Sequence, residues 1–249
     1  MQIIISPAKT MKVDPDSFPV QGIPPFPEET AQLLSRLQEM TYEELKALWK
    51  CSDALAELNA QRFRDMDLKR CLTPAILSYE GIQYQYMAPG IFTAEALEYV
   101  QKHLRILSGF YGIVRPFDGV VPYRLEMQAK LAIGGKKDLY GFWGGKLADY
   151  LMQESDCILN LASKEYSLSV SRHLPPSARM ITCVCGERQN GKVVEKGTMC
   201  KMARGEMVRW LSHHGTETPE DAKRFDGLDY RFSAADSDET KFVFIKEEK

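Results

Sequence analysis

Five stretches of this chain carry side chains whose types and spacing could do chemistry: "SPAKT" (6–10), "LSGFYG" (107–112), "VPYRLEMQAK" (121–130), "NLASKEY" (160–166) and "CKMARGEMVRW" (200–210). Arg124 and Glu126 are two apart, so an extended backbone points both to one side. There Arg124 is a planar donor suited to a phosphate, and Glu126 can orient it or act as a general acid or base. As architecture alone, the same pair would be a partly buried salt bridge fixing a loop. "SPAKT" and "NLASKEY" follow the two best buried-strand candidates. Polar groups beyond the carboxyl ends of such strands commonly form a binding crevice, which nominates Ser6, Lys9, Thr10, Asn160, Ser163, Lys164, Glu165 and Tyr166. The alternative is ordinary loop hydrogen bonding. On the last stretch Lys201, Arg204 and Arg209 form a basic stripe on an amphipathic helix, either simply solvated or lining a cleft wall, with Met199, Met202, Ala203 and Trp210 facing the core.

The glycines of "LSGFYG" raise a separate possibility. If a helix ends near Leu107, Gly109 and Gly112 supply the turn points, because glycine adopts positive φ without steric cost. Ser108 and the glycines would then expose backbone N–H groups to a phosphate oxygen, with Arg105, Arg115 and Lys130 adding charge and Phe110 and Ile113 as apolar anchors. This is the physics of a helix-hairpin-helix, although the glycines are three apart where such hairpins place them two apart, and Pro116 disfavours a helical Arg115. The alternative is a glycine cap leading into a structural turn.

Several other chemistries lack their residues. "IGGKKD" and "FWGGKLA" have neither the spacing nor the Ser or Thr of a P-loop, and no Rossmann fingerprint or G-x-S-x-G elbow occurs. His213 and His214 precede Gly215 at an expected helix end, where capping accounts for them, and His103 and His173 have no ligand-spaced companion. Neither a metal site nor a cofactor is expected. Iron sequestration fares poorly, since carboxylates and histidines do not cluster at ligand spacing. The six cysteines, Cys51, Cys71, Cys157, Cys183, Cys185 and Cys200, lack C-x-x-C pairs and read as reduced thiols. Cys183 and Cys185 would share one strand face, as a redox sensor would need or as ordinary buried residues do.

These residues must be held by a fold. "QIII" (2–5) reads as a buried opening strand, and the proline-rich segment from Asp14 to Glu29 as a surface connection. Thr41 and Glu44 form a capping-box signature. Ser52 starts a helix toward Phe63, Thr93 one running to about Leu107, and a further helix spans Gly145 to Gln153. "CILNLAS" (157–163) is a second buried strand. Asn190-Gly191 joins two strands in a hairpin, residues 198–213 return to helix, Thr218-Pro219 caps a short helix, and "DYRFS" and "KFVFIK" supply late strands. Together these make a mixed α/β (α+β) fold, one domain over 1–249, with a central mixed sheet and surrounding helices.

With 249 residues, 44% of them hydrophobic, the chain can bury a substantial core. It has neither an apolar run long enough to span a bilayer nor a charged-then-apolar leader, so no membrane partner and a cytoplasmic address are expected. The net charge of −2 argues against a globally basic nucleic-acid binder. Between Tyr99 and Lys146, however, Lys102, Arg105, Arg115, Arg124, Lys130, Lys136, Lys137 and Lys146 face only Asp118, Glu126 and Asp138. Such a local excess could meet a polyanion.

Read together and in order, "ISPAKT", "LSGFYGIVRPFD", "PYRLEM", "DLYGFWG", "NLASKEY", "KMARG" and the final "YRF" resemble the YaaA family of bacterial peroxide stress response proteins across almost the whole chain. The resemblance implies a single-domain mixed α/β protein with a basic cleft and a helix-hairpin-helix element that binds DNA with little sequence preference. It further implies a part in the response to hydrogen peroxide, through limiting free iron and DNA damage, and in DNA repair. On this basis the hairpin falls on Leu107 to Val114, and Lys9, Arg124, Glu126, Asn160, Lys201 and Arg204 fall in matching blocks. Phe110 stands where the family often has leucine, and the "CVCGER" strand and Asn190-Gly191 hairpin diverge more. An enzyme acting on a nucleotide, a nucleobase or a phosphorylated small ligand in the same cleft is the alternative. "SPAKT", "RLE" and "NLASKEY" are richer in polar groups than gripping a DNA backbone demands.

Overall fold

A computed structural model describes residues 1–247. The chain opens with β1 (Gln2–Ile5), whose residues are all buried, and a two-residue strand β2 (Thr10–Met11). After the proline-rich connection come α1 (Pro27–Gln38), α2 (Tyr42–Trp49) and α3 (Asp53–Arg64). Thr41 and Glu44 close the expected capping box on α2. Short strands β3 (Thr73–Pro74) and β4 (Tyr79–Glu80) flank one helical turn, α4 (Ala75–Ser78), and lead into α5 (Ile82–Met87) and α6 (Ala94–His103). Next are β5 (Leu104–Ser108), β6 (Gly112–Val114) and β7 (Gly119–Val120), then α7 (Leu139–Trp143) and α8 (Lys146–Glu154). The remainder runs β8 (Cys157–Leu161), α9 (Lys164–Ser171), β9 (Arg179–Gln189), β10 (Lys192–Val194), α10 (Gly197–His213), β11 (Tyr230–Phe232) and β12 (Lys241–Lys246).

One mixed sheet organises the single α/β domain, in the order β11-β12-β9-β8-β1-β5-β6, with β10 paired to β9. β1 lies between β5 and β8, parallel to both, and its isoleucines are fully buried. Continuous apolar strands of this kind are what a sheet covered on both faces requires. From β1 the chain builds β5 and β6 on one flank, and from β8 it builds β9 and β12 on the other. The direction of winding therefore reverses between β1 and β8, and at such a point the carboxyl ends of the strands leave a crevice.

Two expectations around residue 107 are corrected. The helix from Thr93 ends at His103, and Leu104–Ser108 is a strand. "LRILS" is one short apolar run, which periodicity alone does not assign to helix or strand, and the open edge of β1 decides it. No helix-hairpin-helix forms at Leu107–Val114: β5 and β6 pair there as an antiparallel β-hairpin, Ser108 opposite Gly112. Gly109, Phe110 and Gly112 are buried, and the N–H groups of Phe110 and Tyr111 donate to Ser108 Oγ at 3.1 and 2.9 Å. Ser108, Gly109 and Gly112, whose amides are expected from the sequence to meet a phosphate, are all buried.

The late hairpin turns at Asn190 and Gly191, φ 51° and 76°, as its turn type needs. Thr218 closes a second capping box, with Asp221, on the 3-10 helix Pro219–Arg224. Cys183 and Cys185 are buried on β9, and burial pushes the Cys183 thiol up to about 12, away from a sensor's reactive thiolate. Among the described residues no cluster of histidine, cysteine and carboxylate side chains is placed to hold a metal ion. No helix among them is long and apolar enough to cross a membrane.

Candidate functional site

β1 and β8 run parallel and lead out to Ser6 and Ser163, which are stitched together: the N–H of Ser163 donates to Ser6 Oγ at 2.8 Å, and Ser6 Oγ donates to Ser163 Oγ at 3.2 Å. Tyr84 OH, from α5, donates to the Ser6 carbonyl at 3.0 Å. These contacts hold the mouth of the crevice open as a pocket of about 500 Å³, within the usual range for small-molecule sites. Ser6, Lys9, Thr10, Arg124, Glu126, Ser163, Glu165, Tyr166, Lys201 and Arg204 all line it. The residues proposed from sequence on "SPAKT", "RLE", "SKEY" and "KMAR" thus share one wall system.

Two expected members lie elsewhere. Asn160 is buried on β8, its amide donating to Thr182 Oγ1 at 3.1 Å and its oxygen accepting from the N–H of Ala162 at 2.9 Å. Both ends serve the fold. Lys164, the first residue of α9, points to solvent.

Inside the pocket, Glu126 Oε1 takes Arg124 at 3.1 Å and Lys9 at 3.2 Å. Arg124 and Glu126 are nearly buried, whereas the Lys9 side chain is 63% exposed and can move with an occupant. Glu165 faces the same space. Burial pushes its carboxyl up, Glu126 adds repulsion, and the N–H of Gln128, donating at 3.2 Å, pulls the other way. Glu165, with its raised carboxyl, stands with Glu126 and the exposed Lys9 in a set able to give and take protons.

The close packing that builds this site depends on two glycines. A Cβ on Gly109 would sit 2.4 Å from the Leu125 carbonyl oxygen, so glycine there lets the hairpin press under the backbone that carries Glu126. A Cβ on Gly205 would sit 2.0 Å from the Gln83 carbonyl oxygen, so α10 meets the backbone of α5 and brings Lys201 and Arg204 to the rim. A glycine inside an amphipathic helix is the sequence signal for such an approach.

Several buried side-chain donors lack a partner among the described residues, and three of them, Gln83 Nε2, Arg124 Nε and Arg204 Nε, belong to residues of this one pocket. An unmatched buried donor costs about 1–3 kcal/mol, so a cluster of three is a strong local departure from a satisfied interior. Sequence reasoning missed Gln83, Tyr84 and Tyr123. Their tyrosine-rich local sequences read equally well as core.

Three further basic residues named from the sequence divide between two other hollows. Lys130 lies with Lys50, Trp49, Lys9 and Glu126 in an adjoining recess of about 630 Å³. Arg105 and Arg115 lie with Met1, Gln2 and Glu154 in a wider, more open hollow of about 1010 Å³ at the amino-terminal end of the sheet. That hollow is the larger of the two, yet Arg105 is buried there and held by Glu154 at 2.7 Å. The smaller pocket gathers three residues with unmatched buried donors, against one in the recess, Trp49, and a lone unmatched acceptor, Gln2 Oε1, in the hollow.

Comparison with known proteins places the chain in one family. The family model described as "Peroxide stress protein YaaA" matches residues 1–236. A UPF0246 protein of Lachnoclostridium phytofermentans is 55% identical over 248 residues, covering 100% of this chain and 97% of the relative. UPF0246 proteins of Pediococcus pentosaceus and Lactiplantibacillus plantarum are each 51% identical, covering 100% and 98% of this chain and 99% of each relative.

Proposed function

Since the chain belongs to the YaaA (UPF0246) family of peroxide stress proteins, we propose that it serves the response to peroxide by holding a small phosphorylated or nucleobase-bearing ligand at the carboxyl ends of β1 and β8. One observation carries this reading: the unmatched donors of Gln83, Arg124 and Arg204 meet around a single pocket. Anionic oxygens are the natural partners of guanidinium groups. Tyr84, Tyr123 and Tyr166 give the same pocket an aromatic lining for a flat ring, and Glu126, Glu165 and Lys9 provide acid–base groups for a reaction on it.

DNA, as duplex or a repair-type structure, is the second reading. The observation favouring it is the neighbouring recess, which shares Lys9 and Glu126 with the pocket and adds Lys50 and Lys130 as phosphate contacts. A duplex is too broad for a pocket of about 500 Å³, so DNA would run along the recess and offer at most one nucleotide to the pocket.

Calorimetric titration separates the two. AMP and pyrophosphate should bind saturably, with affinity changing modestly between low and moderate salt. Absence of saturable binding of either, together with duplex binding that falls steeply with salt, would transfer the function to the recess.

A further inference from the structure

Three buried hydroxyls meet behind the pocket wall: Tyr123 OH lies 2.6 Å from Ser108 Oγ and 3.0 Å from Tyr79 OH. Distances alone do not reveal which oxygen donates to which. Counting protons narrows the choice.

A serine hydroxyl has one proton and two acceptor sites. The N–H groups of Phe110 and Tyr111 both donate to Ser108 Oγ and fill those sites. The Ser108 proton must therefore go to Tyr123. Tyr79 and Tyr123 share a single contact between their buried hydroxyls, so one of the two protons has no acceptor among the described residues, and Tyr123 is the one of the pair that lines the pocket. With Tyr79 donating, the Tyr123 oxygen accepts twice and its own proton is free for the pocket.

Tyr123 lines the ligand pocket together with Tyr84, Arg124 and Glu126. Building on the reading of that pocket as a ligand site, we propose that Tyr123 donates its hydroxyl hydrogen bond to an oxygen of the bound ligand that carries or develops negative charge. Two donors feeding a phenol oxygen make it a stronger donor in turn, and it is fixed in place before the ligand arrives. Burial raises the Tyr123 phenol to about 12 while Ser108 and Tyr79 oppose that rise, and the tyrosines around it, Tyr79, Tyr84 and Tyr166, are pushed well above their ordinary range. The phenol thus stays protonated and able to donate at neutral pH. The "SGFYG" turn acquires a purpose here, since its two amides orient Ser108 and, through it, Tyr123.

The test replaces Tyr123 with 3,5-difluorotyrosine, whose phenol ionises at a pH the fold tolerates, and follows its titration by fluorine NMR in the ligand-free protein. Removing a donor to the phenol oxygen destabilises the phenolate, so Ser108→Ala and the milder Tyr79→Phe should each raise the difluorophenol pKa. A fall in either variant means that Tyr123 donates toward that neighbour, and the proposal is overturned. In the second arm AMP is titrated into the unlabelled protein, where Tyr123→Phe should weaken binding about tenfold, as the loss of one hydrogen bond to a charged group does. Unchanged AMP affinity in that variant also overturns the proposal. Failure of the wild-type protein to bind AMP or pyrophosphate would instead sink the ligand reading, and the fluorine titration would still decide where the proton points.

Discussion

At the amino-terminal end of the sheet, Arg105 devotes its whole guanidinium to the fold: Nε and one terminal nitrogen go to Glu154 at 2.8 and 2.7 Å, and the other terminal nitrogen to the carbonyls of Gln101 and Leu104 at 3.2 and 2.7 Å. At the carboxyl-terminal end, Arg124 is held by Glu126 through a terminal nitrogen while its Nε has no partner. Both arginines are nearly buried and both are paired with a glutamate. The difference lies in what remains unmatched, and on the proposed reading it separates a structural arginine from one that serves an occupant.

Removing each arginine would sharpen that contrast. Arg105→Met should destabilise the protein by about 3 kcal/mol in urea unfolding, because it leaves Glu154 with Arg115 alone, at 3.9 Å, and strands the Gln101 and Leu104 carbonyls. Arg124→Met should cost about 1 kcal/mol or less, since one of its donors is already unmatched and Lys9 still pairs Glu126. Equal losses would erase the distinction between the two ends.

A smaller effect is expected where the hairpin supports the carboxyl end. Gly109→Ala pushes a Cβ into the Leu125 carbonyl, and overpacking of this kind costs about 1–3 kcal/mol. Thermal unfolding measures the cost, and a neutral outcome would mean that the hairpin does not brace Glu126.

The third effect concerns Asp118, which is buried beside Arg115 near the amino end. Burial raises its carboxyl to about 6, partly offset by the N–H of Arg115 donating at 2.8 Å. The folded state then holds a proton that the unfolded chain releases at its ordinary value of 3.8, so stability falls as the pH rises between these values. Compared with wild type, Asp118→Asn should remove roughly 2 kcal/mol of that decline, read as the difference between the two stability profiles from pH 4 to 7. Parallel profiles would contradict the assigned burial penalty.

How much could be read in advance follows from how local each signal was. Thr41 with Glu44, Asn190-Gly191 and the isoleucines of β1 each encode their element within a few residues, and each element is where the sequence puts it. "LSGFYG" does not, because glycines three apart serve a helix cap and a β-hairpin equally, and the choice is made by β1, about a hundred residues away. Alternation in "YRLEM" placed Arg124 and Glu126 on one side, and the strand-end rule brought Ser6 and Ser163 to them. Gln83 and Tyr123 escaped notice because their importance rests on an unmatched amide and on the direction of a proton, and both depend on tertiary neighbours. Arg105 misled for the converse reason: its positive charge is visible in sequence, and Glu154, which neutralises it, is not adjacent.

The most direct test of the central claim compares the two ends in one binding experiment. AMP is titrated calorimetrically into the wild-type protein, Arg204→Gln at the pocket and Arg115→Gln at the exposed amino-terminal hollow. The account predicts saturable binding that weakens about tenfold or more in Arg204→Gln and is unchanged in Arg115→Gln. Equal affinity in all three proteins, or a loss confined to Arg115→Gln, would contradict it.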